Sequence, residues 1–247
     1  MRAVTTDAII LRTYNLAEAD RIVVCLTKSS GLVRGVAKGA RRMKSRFGAA
    51  LEPFTLVRLS FSEKENRELV SVSSAEILKS SFELNSRLEA AEVLAYIGEL
   101  VTEFAPPHEA DERLFRMISA CVDVLMADAE ALRPITRYFE IWLLRLAGLF
   151  PDLQTCSNCG ATVGEAATAV ADTELRVRCA NCRAGAGATL SLPVVSAIRT
   201  SQKLSPLRFA ESYRLSDTMD AELGDVTHRL IARAIERRPR TQFASAR

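Results

Sequence analysis

The sequence predicts an α+β protein in which a small β-barrel precedes an α-helical region with a cysteine-rich insert. Short apolar runs, two of which alternate with polar residues, occupy residues 1–79, and the apolar spacing becomes helical after residue 80. Four cysteines fall in two close pairs between residues 153 and 190. We therefore expect one domain over residues 1–79 and a second over residues 80–247, with the insert at 153–190.

Five strands are predicted in the first domain. Apolar runs rich in β-branched residues occupy 8–11 and 21–27, and the run at 31–39 follows a Ser-Ser-Gly turn signal. Residues 54–62 and 69–74 alternate between apolar and polar, which predicts strands with one buried face. Five strands in this length indicate a small sandwich or barrel. The count fits an OB-type barrel but does not separate it from an SH3-like barrel.

Five helices are predicted after residue 80. Apolar residues at helical spacing mark the first three, over about 93–104, 114–125 and 135–149. The first ends before Pro106-Pro107, because proline disfavours the helical conformation in the residue that precedes it. Pro193 opens a short fourth helix, and Ser216 or Asp217 caps a last helix that we expect to reach Arg238.

Composition favours a cytoplasmic protein without a membrane span or a signal peptide. Hydrophobic residues make up 48% and charged residues 26% of the chain, which suits packed globular domains. The longest apolar runs are shorter than the roughly 18 residues that a span needs.

His108 and His228 have no evident nucleophile or carboxylate partner, and no glycine-rich phosphate loop occurs. The residues therefore indicate no catalytic constellation.

The four paired cysteines predict a metal site. Cys156 and Cys159 form one C-x2-C knuckle, Cys179 and Cys182 form another, and 19 residues separate them. Two facing knuckles make the closed four-thiolate geometry of structural zinc, although iron could occupy the same thiolates. A redox dithiol needs one such pair, not two. Cys25 and Cys121 lie in apolar runs and are expected in the core.

A block of positive charge in the first domain predicts a nucleic-acid contact. No acid occurs from Arg21 through Leu51, although the whole chain has a net charge of only +3. Such an array binds a phosphate backbone favourably, because the contacts release counterions from the nucleic acid. The alternative interpretation is a solvated loop that binds nothing. Phe47 could stack on a base or anchor the loop in the core. The block contains six basic residues, Arg34, Lys38, Arg41, Arg42, Lys44 and Arg46.

A second basic row is expected on the last helix. Arg229, Arg233 and Arg237 follow each other at intervals of four, which places them on one stripe of a continuous helix. They could contact a second strand of nucleic acid or only complement the negative end of the helix.

The chain resembles the family of the bacterial DNA repair protein RecO. Residues 8–54, with KGARR at 38–42, FG at 47–48 and LEPF at 51–54, resemble that family's N-terminal OB domain. Residues 137–160, RYFEIWLLRLAGLFPDLQTCSNCG, resemble the entry into its zinc module. Together with the knuckle at 179–182, the resemblance covers most of the chain, but the tail after Arg240 matches no pattern.

The resemblance implies an OB nucleic-acid-binding domain at 1–79 and a helical domain with an inserted zinc ribbon that holds one structural Zn²⁺ on the four cysteines. It implies a cytoplasmic, nucleoid-associated recombination mediator, not an enzyme that turns over substrate. Such a mediator binds single- and double-stranded DNA and anneals complementary strands. Such proteins contact single-strand binding protein (SSB) and RecR, work with RecF in many bacteria, and help to load RecA. The family's DNA contacts carry over to Lys38, Arg41, Arg42, Lys44 and Arg46.

The family's SSB contact lies on the helical domain, where Arg137 and Arg145 beside the apolar face of the third helix are candidates by location. Two other classes stay open. One is a general RNA-binding OB and zinc-ribbon protein, which would prefer structured RNA. The other is a scaffold whose basic loop is merely solvated.

Overall fold

The computed structural model describes residues 2–63, 68–163, 170–171, 176–182, 188–213 and 216–241. These residues form two compact units that divide between Ala129 and Glu130, and residues 239–241 belong to the first unit. Among the described residues, no helix is both long and apolar enough to cross a membrane. The domain boundary expected after residue 79 remains a prediction.

Five strands form a closed barrel in the first unit. Strand β1 pairs with both β2 and β4, while β3 and β5 run parallel, so that the strand order is β1-β2-β3-β5-β4. This is an OB-type barrel, as predicted, and its order resolves the choice that the strand count left open. The strands are β1 (Arg2–Leu16), β2 (Asp20–Thr27), β3 (Gly31–Ala37), β4 (Leu56–Glu63) and β5 (Val70–Lys79).

The barrel closes because β1 is long and bends. Its first half pairs with β4, its second half pairs with β2, and the register shifts between Ile10 and Arg12. A bulge of this kind increases local twist, which lets one strand serve two neighbours. Cys25, Phe47 and Phe61 are among the side chains that fill the core, each at most 2% exposed. Burial without a charged partner raises the pKa of Cys25 to about 12, as expected for a core thiol.

Three helices follow the barrel within the first unit. They are α1 (Phe82–Asn85), α2 (Leu88–Phe104) and α3 (Glu112–Ala127), and Cys121 lies buried in the last of them. Helix α2 approaches the barrel where Gly98 faces the carbonyl oxygen of Leu11, and a Cβ at this glycine would lie 3.3 Å from that oxygen. Glu99, also on α2, accepts hydrogen bonds from the backbone N–H groups of Arg240 and Thr241 at 2.8 Å.

The described residues of the second unit form four α-helices and a small three-stranded sheet of order β7-β6-β8. Helix α4 packs against α6 and α7, and α5 packs against α7. Pro193 stands at the start of α5 and Ser216 caps α7, as predicted, because its Oγ accepts from the Met219 N–H. The elements are α4 (Leu132–Leu146), β6 (Val170–Ala171), β7 (Val177–Arg178), β8 (Ala188–Thr189), α5 (Leu192–Thr200), α6 (Pro206–Ser212) and α7 (Asp217–Ala234).

The predicted end of the last helix at Arg238 is wrong. Helix α7 ends at Ala234, and Glu236 has a φ of 55°, which lies in the left-handed region. An α-helix does not continue through a residue in that conformation. The sequence prediction also missed α1 and α6, which are only four and seven residues long. The stretch AGAGA at 184–188, whose low complexity predicts a loop, lies outside the described residues except for residue 188.

Candidate metal centre and nucleic-acid interface

The four predicted cysteine ligands come together in the second unit. The Sγ atoms of Cys156, Cys159, Cys179 and Cys182 all lie within 4.8 Å of one another, and those of Cys159 and Cys179 are 3.7 Å apart. Four thiolates at about 2.3 Å from a tetrahedral zinc ion are separated by about 3.8 Å. The donor set and its spacing therefore fit a single zinc or iron ion.

Backbone hydrogen bonds shape both knuckles of this cysteine cluster. The Gly160 N–H donates to the Cys156 carbonyl at 2.9 Å, and the Cys182 N–H donates to the Cys179 carbonyl at 3.0 Å. Gly160 has a φ of 72°, which a residue without a Cβ adopts at no steric cost, so this glycine lets the backbone turn back after the second sulfur. Ser157 donates from both its N–H and its Oγ to the Val177 carbonyl, which joins the first knuckle to the strand before the second.

The cluster also favours deprotonated sulfur at one ligand. Backbone N–H groups of the knuckles, first of all that of Cys179, stabilise the Cys156 thiolate and lower its pKa to about 6. A thiol must lose its proton to bind zinc, so the environment of Cys156 lowers the cost of metal binding at that ligand. At Cys159 a backbone N–H at Ala161 favours the thiolate, but the sulfurs of the other three cysteines outweigh it and raise the pKa to about 12. With four protein ligands the site is closed, which suits a structural ion and leaves no coordination position for substrate.

The basic block forms an exposed loop at one end of the barrel. All six of its predicted DNA-binding side chains are exposed, and none has an acidic partner within the part of the chain that the structure describes. They begin with Arg34 on β3 and continue to Arg46, just before a 3-10 turn at Gly48–Leu51. We call residues 38–46 the basic loop.

Contacts with the turn between β1 and β2 hold the basic loop in place. Arg41 donates from its backbone N–H to the Ala19 carbonyl at 2.9 Å and from Nη1 to the Ala17 carbonyl at 3.0 Å. The Gly39 N–H donates to Asp20 Oδ1 at 2.8 Å. OB folds bind oligonucleotides through the face of strands 2 and 3 and through the loop between strands 1 and 2. The basic loop thus lies against a surface that OB folds use for binding.

Phe47 anchors the basic loop in the core and is not available for stacking. It is 2% exposed and belongs to the barrel core, while the Arg46 guanidinium carbon lies 4.9 Å from the centroid of its ring. Of the two interpretations of Phe47, the structure supports the core anchor.

Comparisons with known proteins agree with this architecture. The family profile described as Recombination protein O N terminal matches residues 1–81, and the one described as Recombination protein O C terminal matches residues 85–242.

The chain belongs to the RecO family.

Individual relatives agree with the family assignment. The chain is similar to proteins named DNA repair protein RecO from three bacteria. It is 36% identical over 162 residues to that of Koribacter versatilis, a match that covers 66% of each chain. It is 36% identical to that of Anaeromyxobacter sp. strain K over 78% of this chain and 75% of the relative. It is 29% identical to that of Syntrophotalea carbinolica over 96% of this chain and 92% of the relative.

The second basic row predicted for this RecO-family chain is not a stripe on one helix. Arg237 lies beyond the end of α7, and Arg229 pairs with Asp225 one turn earlier on the helix. Arg233 is exposed and lines a cavity of about 600 Å³ that also borders Cys156. The prediction of a single stripe is wrong because it assumed a helix that continues to Arg238, whereas α7 ends at Ala234.

Arg137, which was predicted to contact SSB, lies in the core of the second unit. Its side chain has 0% exposure, donates to Asp220 Oδ1 from Nε at 2.8 Å, and donates to Glu140 Oε2 from Nη1 at 2.8 Å. Burial alone disfavours the charged guanidinium, but the two carboxylates outweigh it and raise the pKa of Arg137. A fully buried cation cannot meet a protein partner, so this prediction is wrong.

The other predicted SSB contact, Arg145, is partly buried and engaged within the unit. It donates to Ser201 Oγ at 2.7 Å and to the Ile198 carbonyl at 2.6 Å, and its guanidinium carbon lies 5.1 Å from the centroid of the Phe150 ring. Its role toward a protein partner remains a prediction, and these contacts give it a structural role.

Two features of this RecO-family chain escaped the sequence analysis. His228 has a carboxylate partner after all, because its Nε2 lies 3.1 Å from Glu140 Oε1, at the exposed edge of the Arg137 network. Arg12 and Tyr14 extend β1 beyond the short apolar run at 8–11 and reach the surface near the basic loop. Their period-two alternation with Thr13 and Asn15 was a signal that could have found them.

Proposed function

We propose that this protein is a DNA repair and recombination mediator that binds DNA through the basic loop of its OB barrel and does not turn over a substrate. Its relatives are named DNA repair protein RecO. The observation that carries the proposal is an exposed set of six basic side chains without acidic partners among the described residues, on an edge that OB folds use for oligonucleotides.

The basic loop suits contact with phosphates and not the reading of a base sequence. Lys and Arg side chains that neutralise phosphates release counterions, and this term is independent of sequence. Single- and double-stranded DNA both present a phosphate backbone, so the loop should bind both. We expect Arg34, Lys38, Arg41, Arg42, Lys44 and Arg46 to make these contacts.

The positive charge of the basic loop would also promote annealing of complementary strands. The obstacle to pairing is the repulsion between two polyanions, which a basic surface lowers by neutralising both of them. Base pairing itself then supplies the specificity, so the protein needs no bidentate contacts to base edges. Because Arg229 is paired with Asp225, we expect the basic loop to contribute more to annealing than the surface of α7 does.

The cysteine cluster has a structural role in this proposal. We infer that Cys156, Cys159, Cys179 and Cys182 hold one Zn²⁺ per chain, which would join the two knuckles. Elemental analysis of purified protein distinguishes zinc from iron, and the absence of both would overturn the inference.

Protein partners complete the proposed role. In the cell the single strands are coated with SSB, so a useful annealer must engage that coat, and RecR, RecF and RecA are the partners that the family resemblance implies. We assign no SSB contact to Arg137, because its side chain is buried.

Annealing of fluorescently labelled complementary oligonucleotides, with and without SSB, tests the proposal. We expect annealing without ATP that persists on SSB-coated strands and declines as salt rises, because salt weakens phosphate contacts. The matched variant is Arg42→Glu/Lys44→Glu, which reverses two exposed charges and leaves the Arg41 hydrogen bond to Ala17 intact. It should anneal more slowly than the unaltered protein.

Other outcomes would point to other functions. DNA binding without annealing above the spontaneous rate would contradict the mediator role. Tighter binding of structured RNA than of single-stranded DNA would favour a general RNA-binding protein. Absence of a salt-dependent DNA interaction would favour a scaffold with a solvated loop.

A further inference from the structure

An exposed tyrosine lies on the outer face of the barrel, in the same unit as the basic loop. In the strand register Tyr14 is opposite Ile22, and Ile22 is opposite Val36. Partners in an antiparallel ladder project to the same face, and these three face away from core residues such as Val23 and Ala37. Tyr14, Ile22 and Val36 therefore form a row across β1, β2 and β3.

Two cations lie in the row next to this one. Arg12 is opposite Val24 and Val24 is opposite Arg34, which makes a second row on the same face, two residues along each strand. The Arg12 guanidinium carbon lies 5.4 Å from the centroid of the Tyr14 ring. Arg12 Nε is buried and has no hydrogen-bond partner among the described residues, and no described acid forms an ion pair with Arg12.

Three apolar side chains of this face are covered, whereas Tyr14 is exposed. Val24, Leu26 and Leu32 project from the same side of β2 and β3 and are at most 3% exposed, whereas Tyr14 is 46% exposed. Its hydroxyl has no hydrogen bond with any residue that the structure describes. The ring therefore stands open at the end of the sheet where the basic loop contacts the β1–β2 turn.

We propose that Tyr14 is a stacking platform for an unpaired base, with Arg12 and Arg34 beside it to hold the adjacent phosphates. The inference rests on the proposed DNA binding and names the residue by which the protein would distinguish single-stranded from double-stranded DNA. Aromatic side chains beside a basic groove stack on bases of any sequence, because every base has a π-face. In a duplex both faces of an internal base are already stacked, so the Tyr14 ring gains a partner only from single strands.

Binding of three DNA forms by the full-length protein tests this inference. We expect Tyr14→Ala to weaken binding of a single-stranded oligonucleotide by roughly 5- to 150-fold, the range of one lost base stack. Binding of a blunt duplex should change less than about twofold, and the salt slope should stay the same because no charge is lost. Tyr14→Phe should bind like the unaltered protein, since it keeps the ring.

An abasic oligonucleotide separates stacking from structural damage. The unaltered protein should bind the abasic oligonucleotide more weakly than it binds a normal single strand. The Tyr14→Ala variant should bind the two oligonucleotides with about the same affinity. The matched control is Phe82→Ala, which removes an aromatic ring that is 67% exposed on α1 and should leave DNA binding unchanged.

The outcomes distinguish this inference from the proposed function. Equal loss of single-stranded and duplex binding in Tyr14→Ala, or no loss at all while Arg42→Glu/Lys44→Glu still weakens binding, would overturn the stacking role and leave the proposed function standing. Failure of the unaltered protein to bind any DNA would overturn both.

Discussion

Replacement of Arg137 by methionine should destabilise the second unit strongly. Arg137 and Glu140 have side chains with 0% exposure, and that of Asp220 is 2% exposed. Methionine fills much of the volume but leaves two carboxylates buried without their cation. Breaking a buried ion pair by removing one partner costs about 3–5 kcal/mol, which is a large share of the stability of a typical domain.

The pKa of Glu140 supports the same order of magnitude. Burial alone would raise this pKa, but the Arg137 guanidinium and hydrogen bonds from His228 and Thr227 lower it from 4.5 to about 2. At 1.36 kcal/mol per pKa unit, the charged carboxylate contributes about 3 kcal/mol near neutral pH. Because the pKa is lower in the folded state, this stability is present above pH 4.5 and is lost as the pH falls through 2.

Urea unfolding followed by tryptophan fluorescence measures this effect. Trp142 is the only tryptophan and lies on α4, the helix that carries Arg137 and Glu140, so it reports on the second unit. We expect Arg137→Met to lower the free energy of unfolding by about 3–5 kcal/mol at pH 7. Between pH 5 and pH 3 the unaltered protein should lose about 2 kcal/mol through Glu140 that Glu140→Gln does not lose.

Arg133→Met is the matched control on the same helix. Arg133 pairs with Asp217 at the surface, where the two side chains are 36% and 77% exposed, so its loss should cost at most about 1 kcal/mol. Similar, small costs for Arg137→Met and Arg133→Met would refute the buried network, as would an identical pH dependence of Glu140→Gln and the unaltered protein.

Three further predictions address the metal, the basic loop and the packing of α7. Cys182→Ser should lower the metal content and the melting temperature before it lowers DNA affinity, because metal binding and local folding are coupled; elemental analysis and thermal melts check this. Arg42→Glu/Lys44→Glu should flatten the log–log salt dependence of binding by roughly 0.7 per lost contact for single strands and 0.9 for duplex, and an unchanged slope would indicate a solvated loop. Gly224→Ala should cost about 1–3 kcal/mol in urea unfolding, because a Cβ there would lie 2.7 Å from Arg137 Nη2; a cost below the error of the fit would contradict the close contact.

Much of the fold could be predicted from local pattern. All five barrel strands were expected in place because alternation and turn signals are short-range, although β1 extends well beyond the run at 8–11. The helices with several turns were also expected. The short α1 and α6 were missed because one or two turns carry too little periodicity, and the end of α7 was missed because no local sequence pattern marks the left-handed φ of Glu236.

The sequence by itself determined the cysteine cluster and the basic loop. Two C-x2-C knuckles specify their own turns, and a run of basic residues without acids remains exposed wherever the chain places it, because an unpaired buried charge is too costly. Only the tertiary structure decided the places of Arg137 and Tyr14. Asp220 lies 83 residues from Arg137 in the chain, so no local pattern could show that the cation would be buried rather than offered to a partner. Tyr14 projects to the outer face because of the register of β1 with β2, and this register arises from pairing between separate segments of the chain.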